Sequence, residues 1–143
     1  MIHDTLVIYA ITSLLLCFNM LALWGYSGAV RAKTGVAINA EDAVLNKARL
    51  EHFDPDPVAR VLRVHRNADS NVMPFLLLGL IFVLLGGPPL HAEILFGAFT
   101  VLRYAHSVIY LAGKQPWRTV CFIGSALVTV CLMGDIIWLL QRG

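Results

Sequence analysis

The chain has 143 residues, of which 58% are hydrophobic and 14% are charged, and its formal net charge is +2. A soluble domain has roughly half apolar and about a quarter charged residues, so this composition excludes an ordinary soluble protein and predicts a polytopic membrane protein. The small net charge gives no indication of nucleic-acid binding, and the length predicts a single domain over residues 1–143. Cys17, Cys121 and Cys131 lie in separate apolar runs, which predicts free thiols and no metal site.

The first predicted span covers residues 5–32. Residues 5–30 carry no charged side chain and are numerous enough to cross about 30 Å of hydrocarbon. Asn19 interrupts this run and is expected to face another helix, because lipid does not satisfy a lone amide. Residues 1–10 contain no basic region, so we interpret them as part of a retained span and not as a cleaved signal peptide.

A polar connection follows over residues 33–56. Asn39, followed by Glu41 and Asp42, predicts a short helix with an asparagine cap, which we place at the membrane surface. Asp56 is a candidate cap and Pro57 suits the first helical position, so the second span is predicted over residues 57–85.

The third and fourth predicted spans cover residues 90–112 and 116–140, and the short connection between them makes them antiparallel neighbours. Basic residues concentrate in the first and third connections, whereas the other side holds little beyond Asp4, Glu93 and Arg142. The positive-inside rule therefore places both termini outside the cytoplasm. The basic residues that decide this orientation are Arg31, Lys33, Lys47, Arg49, Arg60, Arg63, Arg66, Lys114 and Arg118.

Polar side chains share one face at the start of the second span. At about 100° per residue on a helix, they fall within an arc of roughly 140°. Guanidinium groups pair well with carboxylates, so this face predicts a pocket for a small acidic ligand. The alternative interpretation is a solvated helix end of the positive-inside kind. The residues of this face are Arg60, Arg63, Arg66, Asn67, Ser70 and Asn71.

The third span carries a second polar stripe formed by Arg103, His106 and Tyr110, at helical spacing. Arg103 lies well inside the span, where an unpaired charge is costly, so it is expected to pair with Asp69, Glu93 or a ligand carboxylate. The alternatives are that His106 is an ordinary bundle histidine and that Tyr110 is an aromatic residue of the membrane interface.

A third cluster begins the fourth span, where Arg118 is predicted to combine its charge with free backbone N–H groups to bind an anion. The alternative is that Arg118 and Lys114 are only flanking charges. Asp42, in the first connection, has an alternative of its own, in which it is only a capping acid. All three helices nevertheless carry donors to one membrane face, which favours a common site.

Four stretches in order resemble the MAPEG family of membrane-associated glutathione transferases and eicosanoid synthases. They are VRAKTGVAINAEDA (30–43), DPDPVARVLRVHRN (54–67), RYAHSVIYL (103–111) and PWRTV (116–120). The resemblance implies an all-α, four-helix transmembrane bundle that assembles as a homotrimer, with glutathione bound near the cytoplasmic face.

The resemblance also implies roles for individual residues. Arg118, Thr119 and Asp42 would be catalytic, while Arg63 and Arg103 would support the site from behind. Ser70 departs from the family, in which a glutamate at that position meets the amine of glutathione. Phe122 also departs, because it stands where the prostaglandin synthase has a tyrosine. The residues implied to bind glutathione are Arg31, Leu62, Arg66, Asn67, Ser70, His106, Tyr110 and Arg118.

The sequence thus predicts a transferase that joins the glutathione thiolate to hydrophobic electrophiles, with lipid hydroperoxide reduction as an added activity. It would lie in a bacterial inner membrane or the endoplasmic reticulum, in contact with lipid. A glutathione-dependent prostaglandin endoperoxide isomerase is the nearest alternative. Two others are a haem-binding electron-transfer bundle with His65 and His106 as axial ligands, and a non-catalytic scaffold or small transporter.

Overall fold

A computed structural model describes residues 2–142 of the chain. Four of its helices are long and apolar enough to cross a membrane, which confirms the prediction of a four-helix membrane protein. Their bounds lie within three residues of the predicted spans. In chain order the elements are α1 (Ile2–Thr34), β1 (Val36–Ala37), α2 (Ala40–Leu45), β2 (Arg49–Leu50), α3 (Asp56–Leu84), α4 (Pro89–Leu111) and α5 (Trp117–Leu140).

The four long helices pack so that α1 lies against α3 and α4, and α5 lies against α4 and α3. Phenylalanine rings fill the centre: Phe75 stacks on Phe99 with ring centroids 3.6 Å apart, and Phe96 meets Phe75 edge-on. Large apolar side chains such as Phe18 point outward. Lipid is as apolar as these side chains, so close packing and hydrogen bonds between helices hold such a bundle together.

Polar contacts join α1 to the loop before α4 and to α4 itself. The Thr5 hydroxyl donates to the Gly87 carbonyl at 2.9 Å, and the Tyr104 hydroxyl donates to the Leu15 carbonyl at 2.7 Å. Asn19 donates to the Ser107 hydroxyl at 3.2 Å in the interior, which confirms that Asn19 faces another helix.

The connection between α1 and α3 contains the short helix α2 and the two short strands β1 and β2. The Asn39 side-chain oxygen accepts from the Asp42 N–H at 2.9 Å, which confirms the predicted cap of α2. The parallel pairing of β1 with β2 was not predicted from the sequence. The predicted capping role of Asp56 is wrong, because Asp56 is the first residue of α3 and makes no capping hydrogen bond. Strands of two residues are too short to show a recognisable alternation of apolar and polar side chains. Prolines on both sides of Asp56 allow this residue to be either the cap or the first residue of the helix.

An ionisable cluster lies at the end of the bundle where α4 begins and α5 ends. His91 Nδ1 lies 2.8 Å from Asp135 Oδ2, and the Arg142 guanidinium stacks over the Trp138 ring at 3.9 Å. The prediction that this side holds little beyond Asp4, Glu93 and Arg142 is incomplete. It leaves out Asp135, which lies within an otherwise apolar helix.

Candidate functional site

A polar groove lies at the opposite end of the bundle, where α3 and α5 begin and α4 ends. Three adjoining cavities of about 240, 170 and 260 Å³ form it, and the Tyr110 ring borders all three. The lining side chains come from all three helices and from the α4–α5 connection. Together they are Arg60, Arg63, Arg66, Asn67, Ser70, His106, Tyr110, Gly113, Arg118, Thr119 and Phe122, and this set is called the polar groove below.

Aromatic contacts hold the floor of the groove. The Arg118 guanidinium lies 4.5 Å from the Tyr110 ring centroid, a cation–π distance. The His106 ring meets Tyr110 edge-on at 5.5 Å and lies 6.3 Å from the Phe122 ring. His106 is 2% exposed, so its ring forms a buried part of this floor.

Gln115 lies next to two residues of the polar groove, Arg118 and Thr119, and was not predicted from the sequence as part of the site. With its amide oxygen turned towards Arg118, that oxygen accepts from Arg118 Nε at 3.0 Å while the amide nitrogen donates to the Thr119 hydroxyl at 3.1 Å. Gln115 therefore holds both side chains in one arrangement. Its spacing of three and four residues before Arg118 and Thr119 was the available signal.

The predicted contribution of the α5 N-terminus is wrong. The Arg118 N–H bonds to the Lys114 carbonyl at 3.3 Å, and the N–H groups of Thr119 and Val120 bond to the Pro116 carbonyl. The turn before the helix has already satisfied these donors. At residues 118–120 the Arg118 side chain, and not a free backbone N–H group, is therefore the candidate donor to an anion.

Arg103 lies behind the groove and is completely buried. Its Nη2 donates to the Asn67 side-chain oxygen at 2.8 Å, whereas Nε and Nη1 have no hydrogen-bond partner among residues 2–142. The expected pairing with Asp69 or Glu93 is wrong, since both acids are exposed and neither reaches Arg103. The neutral amide of Asn67 is therefore the partner of Arg103 in the position where an acid was expected.

Arg31 and Asp42 are not part of the polar groove of this chain. They line a separate cavity of about 410 Å³ between the end of α1 and α2, and Arg31 forms an ion pair with Asp54 at 2.6 Å. Leu62 is partly buried and is absent from the groove lining. Arg63 lies on the surface of the groove, so of the two supporting arginines only Arg103 lies behind it.

Comparisons with known proteins identify related chains. The MAPEG family matches residues 9–138. Human prostaglandin E synthase is 35% identical over 136 residues, which cover 90% of this chain and 89% of that protein. The horse prostaglandin E synthase is 33% identical over 131 residues, covering 91% and 86%. Human microsomal glutathione S-transferase 1 is 37% identical over 78 residues, covering 54% of this chain and 50% of that protein.

Proposed function

The chain belongs to the MAPEG family, and we propose that it is an integral membrane enzyme that transfers glutathione to hydrophobic electrophiles. The observation that carries the proposal is the arrangement of Arg118. Its guanidinium lies against Tyr110 and Gln115, both neutral, so no carboxylate among these neighbours cancels its charge. A fixed and unneutralised cation at the mouth of a groove is suited to hold an anionic sulfur.

The composition of the groove fits glutathione as the co-substrate. Its lining includes four arginines and no acidic side chain. Glutathione carries two carboxylates, and guanidinium groups bind carboxylates through charge-assisted hydrogen bonds. Arg63 and Arg66 would take these carboxylates, which would leave Arg118 for the thiol.

The chemical step is nucleophilic substitution by sulfur. The thiol releases its proton to solvent, and the thiolate attacks the electrophilic carbon of the second substrate. A carbon–sulfur bond forms while the leaving group departs with its bonding electrons. Arg118 stabilises the thiolate, and the Thr119 hydroxyl serves as a secondary donor. Exposed apolar side chains beside the groove, among them Trp117 and Val120, would let the electrophile approach from the bilayer.

The proposed assembly is a homotrimer with its groove towards the cytoplasm and both termini on the other side, in a bacterial inner membrane or the endoplasmic reticulum. In such a trimer Arg31 and Asp42 of one protomer would complete the groove of its neighbour. Both lie at the same end of the bundle as the groove but in a separate cavity, which supports an intersubunit role. Chemical cross-linking in mild detergent tests the assembly, since an active monomer would contradict it.

A second candidate is a glutathione-dependent prostaglandin endoperoxide isomerase. It is favoured by the human and horse relatives, whose name is prostaglandin E synthase. The same thiolate would attack one endoperoxide oxygen, so that a sulfur–oxygen bond forms while the oxygen–oxygen bond breaks and the second oxygen takes a proton as a hydroxyl. Loss of the C–H proton beside the sulfur-bound oxygen would then form the ketone and release the thiolate. Phe122 stands in the groove without the hydroxyl that the family resemblance attributes to the synthase, which favours the transferase.

The test uses purified protein in detergent. Glutathione binding is measured by calorimetry, and turnover is measured with an aryl halide, a prostaglandin endoperoxide and a lipid hydroperoxide. We expect binding, a thiolate absorption band and conjugation of the aryl halide. Rapid isomerisation of the endoperoxide without conjugation would favour the second candidate. Absence of glutathione binding would overturn both, and a Soret band would then indicate a haem protein.

A further inference from the structure

A crevice separate from the polar groove opens between the end of α1 and the start of α3. Its volume is about 340 Å³, within the usual range for a small-molecule site. Among residues 2–142, Arg60 is its single lining residue that also belongs to the polar groove. The lining of this cavity, called the α1–α3 crevice below, includes Tyr26, Val30, Asp56, Arg60, Val61 and Leu111.

The α1–α3 crevice lies across the boundary between the apolar part of the bundle and its charged end. Residues 5–30 carry no charged side chain, so Tyr26 and Val30 lie in the last turns of the apolar segment of α1. Asp56 and Arg60 lie in the first two turns of α3, where the chain returns from the polar connection. A molecule in the crevice therefore meets apolar side chains at one end and charged groups at the other, which matches the division of a membrane lipid into chains and headgroup.

Asp56 and Arg60 are opposite charges that border the same cavity without pairing with each other. They are four residues apart, a spacing at which helical side chains can meet. Neither forms an ion pair among residues 2–142. Arg60 lies instead against the α4–α5 connection, where a Cβ atom on Gly113 would be 2.6 Å from Arg60 Nη1. The crevice thus offers a separated anion and cation, which complement a ligand that carries both charges.

Zwitterionic phospholipids carry both charges at the level where the crevice opens. Tyrosine is common at this level because its ring is apolar and its hydroxyl is polar, and Tyr26 is half exposed there. We propose that the α1–α3 crevice binds one molecule of phosphatidylethanolamine. Arg60 donates to its phosphate and Asp56 accepts from its ammonium, while the start of one acyl chain lies against Val30. A primary ammonium is favoured over a quaternary one because only the primary group donates hydrogen bonds to a carboxylate.

Native mass spectrometry of delipidated protein in detergent measures the affinity for individual phospholipids. We expect phosphatidylethanolamine to bind at least roughly threefold tighter than phosphatidylglycerol, which has the phosphate but no ammonium. Asp56→Asn should remove this preference by weakening phosphatidylethanolamine alone. Asp69→Asn is the matched control, because it makes the same charge change at an exposed position of α3 outside the crevice. Equal binding of the two lipids by the parent protein, or an unchanged preference in Asp56→Asn, would overturn the proposal.

Val30→Trp tests the position of the acyl chain by filling the crevice. It should weaken both lipids by a similar factor of roughly three to ten, since the chain loses its apolar contact. Val101→Trp is the control, because Val101 is 69% exposed on α4 and lies outside the crevice. If Val30→Trp does not fold, phosphatidylethanolamine with a diazirine in its acyl chain should cross-link near Val30 and Leu111. Parent-like lipid binding by folded Val30→Trp, or cross-links confined to other surfaces, would contradict the proposed site.

The headgroup alone distinguishes a lipid site from a site for a small soluble zwitterion. Glycerophosphoethanolamine carries the same phosphate and ammonium without acyl chains. It should not displace phosphatidylethanolamine even at millimolar concentration, because burial of the chain contributes most of the affinity. Displacement by the headgroup alone would assign the crevice to a soluble ligand and would overturn the assignment to a phospholipid.

Discussion

The two ends of the bundle handle ionisable residues in opposite ways. At one end His91 and Asp135, on neighbouring helices, face each other at 2.8 Å, and Arg142 covers Trp138 beside them. At the other end Arg103 and Arg118 have amide and aromatic neighbours, and neither pairs with an acid among residues 2–142. In the first arrangement the ionisable side chains contact partners within the protein, and these contacts can stabilise the packing of α4 against α5. The second leaves positive charge unneutralised, which is the condition for binding an anion from outside.

The largest effect should follow loss of Arg118 at the open end. Arg118→Ala should lower turnover by roughly 10²–10³-fold, with a smaller loss of glutathione affinity, because the thiolate depends on this cation more than the thiol does. Arg118→Lys should retain part of the activity, and Thr119→Ala should be milder than either. Turnover and the ultraviolet thiolate band are the measurements. A parent-like band and rate in Arg118→Ala would show that the thiol is activated elsewhere.

Arg66 separates binding from chemistry at the same end. Arg66→Ala should weaken glutathione affinity by one to two orders of magnitude, since a charge-assisted hydrogen bond contributes about 1.5–3 kcal/mol and about 1.4 kcal/mol is tenfold. The bound thiolate band should persist at saturating glutathione. Calorimetry in detergent measures the affinity, and a folded variant with unchanged affinity would remove Arg66 from the groove.

The closed end should respond in stability and not in activity. Asp135→Asn weakens the contact with a partly exposed His91, so the cost should be about 1 kcal/mol or less. The detergent melting temperature should fall by a few degrees, and His91→Gln should behave alike. Both variants should keep glutathione affinity and turnover. A loss of activity without a loss of stability would mean that this cluster takes part in function.

Ser70 should give the smallest change. It is exposed, its hydroxyl donates to the Asn67 carbonyl at 3.2 Å, and it borders the groove beside Arg66. Ser70→Glu supplies the acid that the family resemblance expects for the ligand amine, so affinity should rise slightly or stay the same. A large decrease would reveal a ligand contact made by the hydroxyl itself.

The sequence predicted the helices well because lipid imposes long apolar segments with charges at their ends. The run without charged residues in α1 and the asparagine cap of α2 were sufficient signals. Side-chain partners were less predictable. Asn67 took the place expected for an acid beside Arg103, and Asp135 was hidden because its partner His91 lies on another helix.

The candidate site shows the same contrast between helix positions that the sequence predicts and side-chain partners that it does not. Helical spacing alone indicated that Arg103, His106 and Tyr110 share a face. It could not indicate that the turn before α5 uses the N–H groups of Arg118 and Thr119, because that depends on the backbone path from Lys114 to Pro116. Gln115 was missed although its spacing to Arg118 and Thr119 was a signal, because Gln115 lies before the first residue of α5, where helical spacing is a weak guide.

The position of Arg103 also bears on how the protein enters the membrane. An arginine near the centre of an isolated helix raises the free energy of insertion by about 2.5–3.5 kcal/mol. Asn67 precedes Arg103 in the chain, and only residues 85–88 separate α3 from α4. During synthesis the amide is thus already present when the arginine emerges. Helix α4 should therefore insert more readily as the second half of a hairpin with α3 than as a single segment.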